Sequence, residues 1–277
     1  MKKNIALFLI ILVCFFVCIP NVFALTTIYE TVKSEIINSG TNLTKYTRFT
    51  DKGWLSINII DVDLEDENTS IGVLTSSNGL RTFQNVKTML TNNKDCIAAI
   101  NADFFTGNSK KGNIIGMTIN DGKMLTSTYY ENEVKDTLAS FVLDEDNDAF
   151  FDYFTNKITL TNTKNTTAIM VSEINKWSSN YEFPVLYTKE WGEKSIGSSP
   201  ELILTELVVK NNKVVEVRYN KEAIEIPENG FVISALGNVA EVMKESFKKG
   251  NKVKLDIDGT IPSNGKIEVK SKIKLED

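Results

Sequence analysis

The sequence contains no histidine. That one absence removes Ser-His-Asp and Cys-His nucleophile pairs, imidazole acid–base work and His-ligated zinc. Any chemistry at neutral pH therefore falls to carboxylates, amides, hydroxyls, lysine or a hard cation. Cysteine is nearly as scarce: Cys14 and Cys18 lie in the N-terminal apolar run, and Cys96 stands alone beyond it. Once that run is removed, no intramolecular disulfide can form and the fold must rest on its core. Cys96, just before "IAAI", reads as a small buried hydrophobe rather than a reactive thiol. Two adjacent glycines never occur, and the sequence has no P-loop, dinucleotide-binding glycine pattern or cysteine metal knuckle. A basic excess is missing too: 31 Lys and Arg stand against 36 Asp and Glu, for a net charge of −5. Without a concentrated basic surface to displace counterions, nucleic acid is not the expected partner.

What is present is ordinary globular material, 277 residues of which 42% are hydrophobic and 24% charged. Lys2 and Lys3 precede an apolar run from Ile5 to Ile19, followed by Pro20 and Val22-Phe23-Ala24. This is the pattern of a secretory signal with a small-residue cleavage site, so residues 1–24 read as a signal peptide. The run is short of the roughly 20 apolar residues of a membrane span. Membrane contact is expected only through that segment if it stays uncleaved. Val13 and Val17 precede the two cysteines, where a lipoprotein signal wants a small residue. A secreted or extracellular, envelope-associated protein is expected.

Residues 25–277 read as one domain. "WLSINIIDVDL" alternates with Leu55, Ile57 and Ile59 on one face, then shifts phase to Ile60, Val62 and Leu64, which predicts a bulge. "ASFVL", "KITLT", "TAIMV", "ELILTELVV", "KVVEVRY", "GFVISAL" and "KVKLDI" are further short β-branched runs between polar turns. Asn211-Asn212 marks a tight hairpin. Two helices are predicted. One starts near Thr82, with Phe83, Val86, Met89 and Leu90 at helical spacing; the other has Asn238 as N-cap, Glu241 closing a capping box, and Val239, Val242, Met243 and Phe247 on one face. The expected class is α+β: a twisted, mostly antiparallel or mixed sheet with a few helices.

"AAINADFF" is the most pointed stretch. Read as a strand end, it places Asn101 and Asp103, two residues apart, on one face, where they can hold a sugar hydroxyl, a phosphate or a cation; an Asx turn capping local backbone is the plainer alternative. Asp121-Gly122 reads as a hairpin turn. Asp144, Asp146 and Asp148 open like a calcium loop, but Ala149 replaces its glycine and Thr155 its final glutamate, so the stretch reads as a solvated turn. Trp54, Trp177, Tyr187 and Trp191 could stack on sugar rings, though core packing is their commoner use.

Taken in order, "RFTDKGWLSINIIDVDL", "AAINADFF", the "DGK" hairpin, "VLYTKEWG" and "IPENGFVISALG" resemble the phosphodiester glycosidase family, which includes exopolysaccharide-related bacterial envelope proteins. The resemblance covers roughly residues 40–260, with Ala102 and Asp103 replacing the glycines of the family's "NGGFF"-type strand end. It implies hydrolysis of a sugar-1-phosphodiester bond on an envelope or exopolysaccharide glycan, with Asp103 as acid–base or water-positioning group and Asn101 beside it. Phe105 would form a wall, and Thr106 and Asp121 would make lesser substrate contacts. No cofactor is called for, while a divalent cation such as calcium beside Asp103 stays open. The family continues past a segment like "KIEVKSKIKL" into a half with glycine-rich loops, and no Gly-Gly pair occurs here. The second half of the family fold is therefore expected to be missing, with activity depending on completion, for instance by a separate C-terminal half. A non-catalytic glycan-binding or scaffold protein and an inactive fragment are the alternatives.

Overall fold

The computed structural model describes residues 25–108, 111–128, 139–261 and 265–267. Residues 1–24, expected to be a signal peptide, and most of the "KIEVKSKIKL" segment lie outside them. The chain divides into two compact units, one ending at Thr69 and one beginning at Ser70.

In the first unit, β1 (Thr27–Asn38), β2 (Thr41–Thr50) and β3 (Gly53–Val62) form an antiparallel meander. Its turns are tight. Asn38 Oδ1 accepts from Gly40 N at 3.2 Å, and the Thr50 hydroxyl donates to the Gly53 carbonyl at 2.9 Å. β3 pairs with β2 without interruption from Thr50↔Gly53 to Thr41↔Val62, so the expected bulge does not form. The phase shift has another use: both faces carry apolar residues. Cross-strand partners share a face, which sets Val32, Tyr46 and Ile57 in one row and Tyr29, Phe49 and Trp54 in another on the opposite side. The Trp54 ring meets Phe49 at 4.9 Å and Tyr29 edge-on at 6.4 Å.

The second unit holds the remaining strands. A five-stranded sheet runs β12-β13-β16-β14-β15: β12 (Glu173–Ile174), β13 (Val185–Tyr187), β16 (Gly230–Ala235), β14 (Thr205–Lys210) and β15 (Lys213–Tyr219). A four-stranded sheet runs β11-β10-β17-β18: β11 (Ala168–Val171), β10 (Thr155–Asn162), β17 (Val253–Ile261) and β18 (Gly265–Ile267). Three hairpins complete the set: β4–β5 (Phe105–Asn108, Lys111–Ile114), β6–β7 (Thr118–Asn120, Lys123–Thr126) and β8–β9 (Ala139–Leu143, Ala149–Tyr153).

The runs "TELVVK" and "GFVISA" are apolar at successive positions because their sheet is covered on both faces. Leu207, Val209, Phe231 and Ile233 point into a core shared with Ile158, Leu160, Met243 and Phe247. Their neighbours Val208 and Val232 point the other way, against Tyr187, Trp191, Leu204 and Ile226. Each such aliphatic or aromatic side chain contributes about 1.5–3 kcal/mol by burial.

The α+β expectation is overturned. The described residues form eighteen strands and two helices, α1 (Val86–Asn92) and α2 (Gly237–Ser246), so the protein is mostly β and built from several small, chiefly antiparallel sheets. The helical periodicities are real but short. Asn85 caps α1 by accepting from Thr88 N at 2.8 Å, which excludes Phe83, and none of its residues is buried. In α2 the N-cap is Leu236 without a side-chain bond, so Asn238 caps nothing and lies inside the first turn. Its apolar face packs as expected, with Met243 buried and Phe247 following as C-cap.

The turns form as expected. Asn211 and Asn212 (φ 48° and 56°) link β14 to β15, and Asp121 and Gly122 (φ 49° and 72°) link β6 to β7, the left-handed pair that a two-residue hairpin requires. Asp144 Oδ1 accepts from Asp146 N at 3.0 Å and Asp148 N at 2.9 Å, closing the turn between β8 and β9. No helix among the described residues is long and apolar enough to cross a membrane.

Candidate functional site

Residues 96–104 do not form a strand. "IAAI" has strand-like composition, but it joins no ladder among the described residues, and pairing begins only at Phe105. Ile97, Ile100, Phe104 and Phe105 are consequently exposed, Ile100 at 76% and Phe104 at 73%. Asn101 lies exposed in this segment and Asp103 half-buried at a bend, so the same-face alternation expected of a strand does not apply to them. Phe105 packs its ring on Phe83 at 5.1 Å, and Thr106 stands exposed opposite Asn113 in the β4–β5 ladder.

Asp103 is held by backbone. Its Oδ1 accepts from Phe104 N at 2.6 Å and its Oδ2 from Gly116 N at 2.9 Å. A Cβ at position 116 would stand 2.7 Å from Oδ2, so only glycine lets the carboxylate come this close. From the other side, the fully buried Lys176 donates to the carbonyls of Ile114 at 2.6 Å, Ile115 at 3.0 Å and Gly116 at 3.1 Å. The ammonium has three N–H bonds and all three find acceptors. Burial lowers the Lys176 amine to about 8, opposed by the negative charges of Glu173 and Asp103. Thr126 adds a hydroxyl bond to the Gly116 carbonyl at 3.0 Å. The segment 114–116 is thus clamped by a carboxylate, an ammonium and a hydroxyl from three separate parts of the chain.

The clamp continues into a polar spine. Asn113 Oδ1 accepts from Trp177 N at 3.2 Å while its Nδ2 donates to Trp177 O at 3.3 Å, so one side chain mimics a strand partner. Asn175 (φ 52°) donates to Leu125 O and Thr188 Oγ1, both at 2.8 Å, and accepts from Thr188 N at 2.9 Å. Tyr187 donates to the Lys176 carbonyl at 2.9 Å and lies 3.0 Å from the Tyr181 hydroxyl. Burial pushes the Tyr181 phenol up to about 12.

The spine ends at Glu190. Its Oε2 accepts from the Thr188 hydroxyl at 2.6 Å, and its Oε1 is paired with Lys123 Nζ. Burial pushes the Glu190 carboxyl up, but the bonds from Lys123 and Thr188 outweigh it and hold the group below the usual range. Glu190 and Lys123 line an open cleft of about 450 Å³, together with Thr75, Asn120 and Asp121 and the apolar side chains of Val73 and Leu125.

Of the residues singled out in the sequence, Asp103 joins the clamp and Asp121 the cleft. Asn101, Phe105 and Thr106 lie on or beside the exposed edge that Asp103 anchors. Tyr187 and Trp191 are fully buried with Trp177 against them, so three of the four candidate stacking aromatics form core; Trp54 belongs to the meander. The sequence pattern does not single out Lys176, Lys123 or Glu190. Each carries a signal nonetheless: "EINK" sets two charges in an otherwise apolar stretch, and "TKEWG" and "DGK" supply the other two residues.

No protein-family model and no curated protein matches the sequence. Solved structures share the fold. A protein of Burkholderia pseudomallei K96243 described as a "Putative exported protein" superposes with a TM-score of 0.71 at 14% identity, over 89% of this chain and 71% of its own. A hypothetical protein from Synechocystis superposes with a TM-score of 0.66, also at 14% identity, over 83% of this chain; the present chain spans 41% of that protein's length.

Proposed function

We propose that this is an extracytoplasmic, phosphodiester-glycosidase-like protein that hydrolyses a sugar-1-phosphodiester on an envelope or exopolysaccharide glycan. The observation that carries the reading is the clamp on residues 114–116, which fixes Asp103 beside an exposed edge of Asn101, Phe104 and Phe105. Each Asp103 oxygen accepts one backbone N–H and keeps a second lone pair for water or substrate. In the reaction, water attacks the anomeric carbon while Asp103 takes its proton. The C–O bond to phosphate breaks, and the phosphomonoester departs with the bonding electrons. Because that leaving group departs as an anion, a second carboxyl acid is not required, which suits a chain without histidine. Lys176, with every donor engaged, is a positioning residue. The apolar N-terminus and the export ascribed to the Burkholderia protein support a site outside the membrane.

A second reading, a glycan-binding protein without turnover, draws on the same contacts, since an aspartate committed to two backbone donors also serves as a structural brace. Release of aryl phosphate from an aryl phosphodiester of a sugar separates the two. Turnover that falls about 100-fold or more in Asp103→Asn, with circular dichroism unchanged, is the expected result. Retention on cell-wall polysaccharide with no aryl phosphate released would leave the binding reading in its place.

A further inference from the structure

The cleft at the β6–β7 hairpin has a distinctive charge arrangement. Two of its three charged groups cancel: Lys123 is paired with Glu190, and Glu190's second oxygen is occupied by the Thr188 hydroxyl. The third, Asp121, is exposed at the hairpin tip, and its one hydrogen bond among the described residues is a 3.5 Å contact from Asn120 Nδ2. The cleft therefore presents one uncompensated negative charge. Beside it, the Asn120 amide and the Thr75 hydroxyl offer both donors and acceptors, while Val73 and Leu125 supply an apolar wall. A pyranose ring matches this lining, with hydroxyls for the carboxylate and amide and a C–H face for the aliphatic side chains. An anion matches it poorly, because Glu190 neutralises the charge of Lys123 and Asp121 repels.

We propose that this cleft is a sugar subsite selecting a neutral or amino sugar over an acidic one, with any phosphate held outside it. The choice of a sugar as occupant rests on the glycan-directed function proposed above; the charge preference rests on the cleft alone. Across an open, water-filled site, one unit charge near the ligand is worth about five- to tenfold in affinity.

The test holds the ring constant and varies its charge. The full chain is titrated at about pH 6.5, below the range of an ordinary amine, with glucosamine, methyl glucoside and glucuronate, following the backbone amides of residues 120–125 by NMR. Glucosamine is expected to bind tightest and glucuronate weakest, about tenfold or more apart. Asp121→Asn should collapse that spread, and asparagine tolerates the left-handed backbone at this turn, so the hairpin survives. Glu190→Gln releases Lys123 and should bring glucuronate level with or ahead of the methyl glucoside. Glucuronate tightest in the native protein, a spread untouched by Asp121→Asn, or no saturable response at residues 120–125 from any of the three would overturn the proposal. Saturable binding there without hydrolysis of any phosphodiester would count against the enzymatic reading and leave the subsite standing. Hydrolysis with a silent cleft would do the reverse.

Discussion

The meander of residues 27–62 and the five-stranded sheet around β14 and β16 are both rich in β-branched and aromatic residues, yet they use them differently. In the sheet, the adjacent residues Leu207 and Val208 point to opposite faces and both are buried, because one face meets the four-stranded sheet and α2 and the other meets the Trp191 cluster. In the meander, Val32 stays 50% exposed and Trp54 63% exposed, although Trp54 has Phe49 and Tyr29 of the same three strands against its ring. Similar strand propensity thus yields different amounts of buried area, and buried area sets stability.

The largest expected effect contrasts the two tryptophans. Trp191→Ala empties a fully buried site and should cost about 3–5 kcal/mol in urea unfolding. Trp54→Ala should cost about 1 kcal/mol, chiefly its contacts with Phe49 and Tyr29. Equal losses would break the comparison and show that the meander's aromatic face is covered in solution.

Next comes pH. The Lys176 amine titrates near 8 in the folded protein against an ordinary value of 10.5, so between those values the unfolded chain binds more protons and folded stability rises with pH. Tyr181 acts oppositely. Its phenol holds its proton to about 12 while the unfolded chain loses it near 10, so stability falls above that point. Stability should therefore peak near pH 10, about 2–3 kcal/mol above its value at pH 7. Chemical denaturation across this range checks it, and Lys176→Met should abolish the rise while leaving the fall.

Asp103→Asn should destabilise by about 1–3 kcal/mol, because an amide offers one acceptor where two backbone donors need one each. Unfolding of the variant measures this separately from turnover. The smallest effect belongs to Glu190→Gln, at most about 1 kcal/mol at neutral pH for a pair that remains about a third exposed. Since the Glu190 carboxyl is held below its ordinary value, its contribution is lost as pH falls below about 4.5. The variant should lose less stability on acidification than the native protein.

The turns are readable in the sequence because Asn211-Asn212 and Asp121-Gly122 satisfy a backbone demand that few other residues meet. The strands of the buried sheet are readable through their composition. Helix existence is legible at Met243 and Phe247, but caps are not: Asn238 has the right chemistry two residues too late, and only the path of β16 decides that Leu236 precedes the helix. "INADFF" misleads because strand propensity says nothing about whether a pairing edge is available. Lys176 is illegible for a related reason. A lysine is normally a surface residue, and its burial depends on three carbonyls brought to it from residues 114–116. Asp103 is legible as a polar group at a turn; that its partner is Gly116 follows from tertiary structure alone.

The pairing of β10 with β17 joins Asn162 to Val253 and Thr155 to Thr260. The whole five-stranded sheet and α2 are translated between those two partners. The face of the core that β10 and β17 share thus cannot close until β17 has been made, after the intervening sheet has emerged. High sequence separation of this kind slows folding, on the scale of milliseconds to seconds for β-rich domains. A nascent chain of this protein would therefore keep Ile158 and Leu160 uncovered until Val253 and Ile257 have been made.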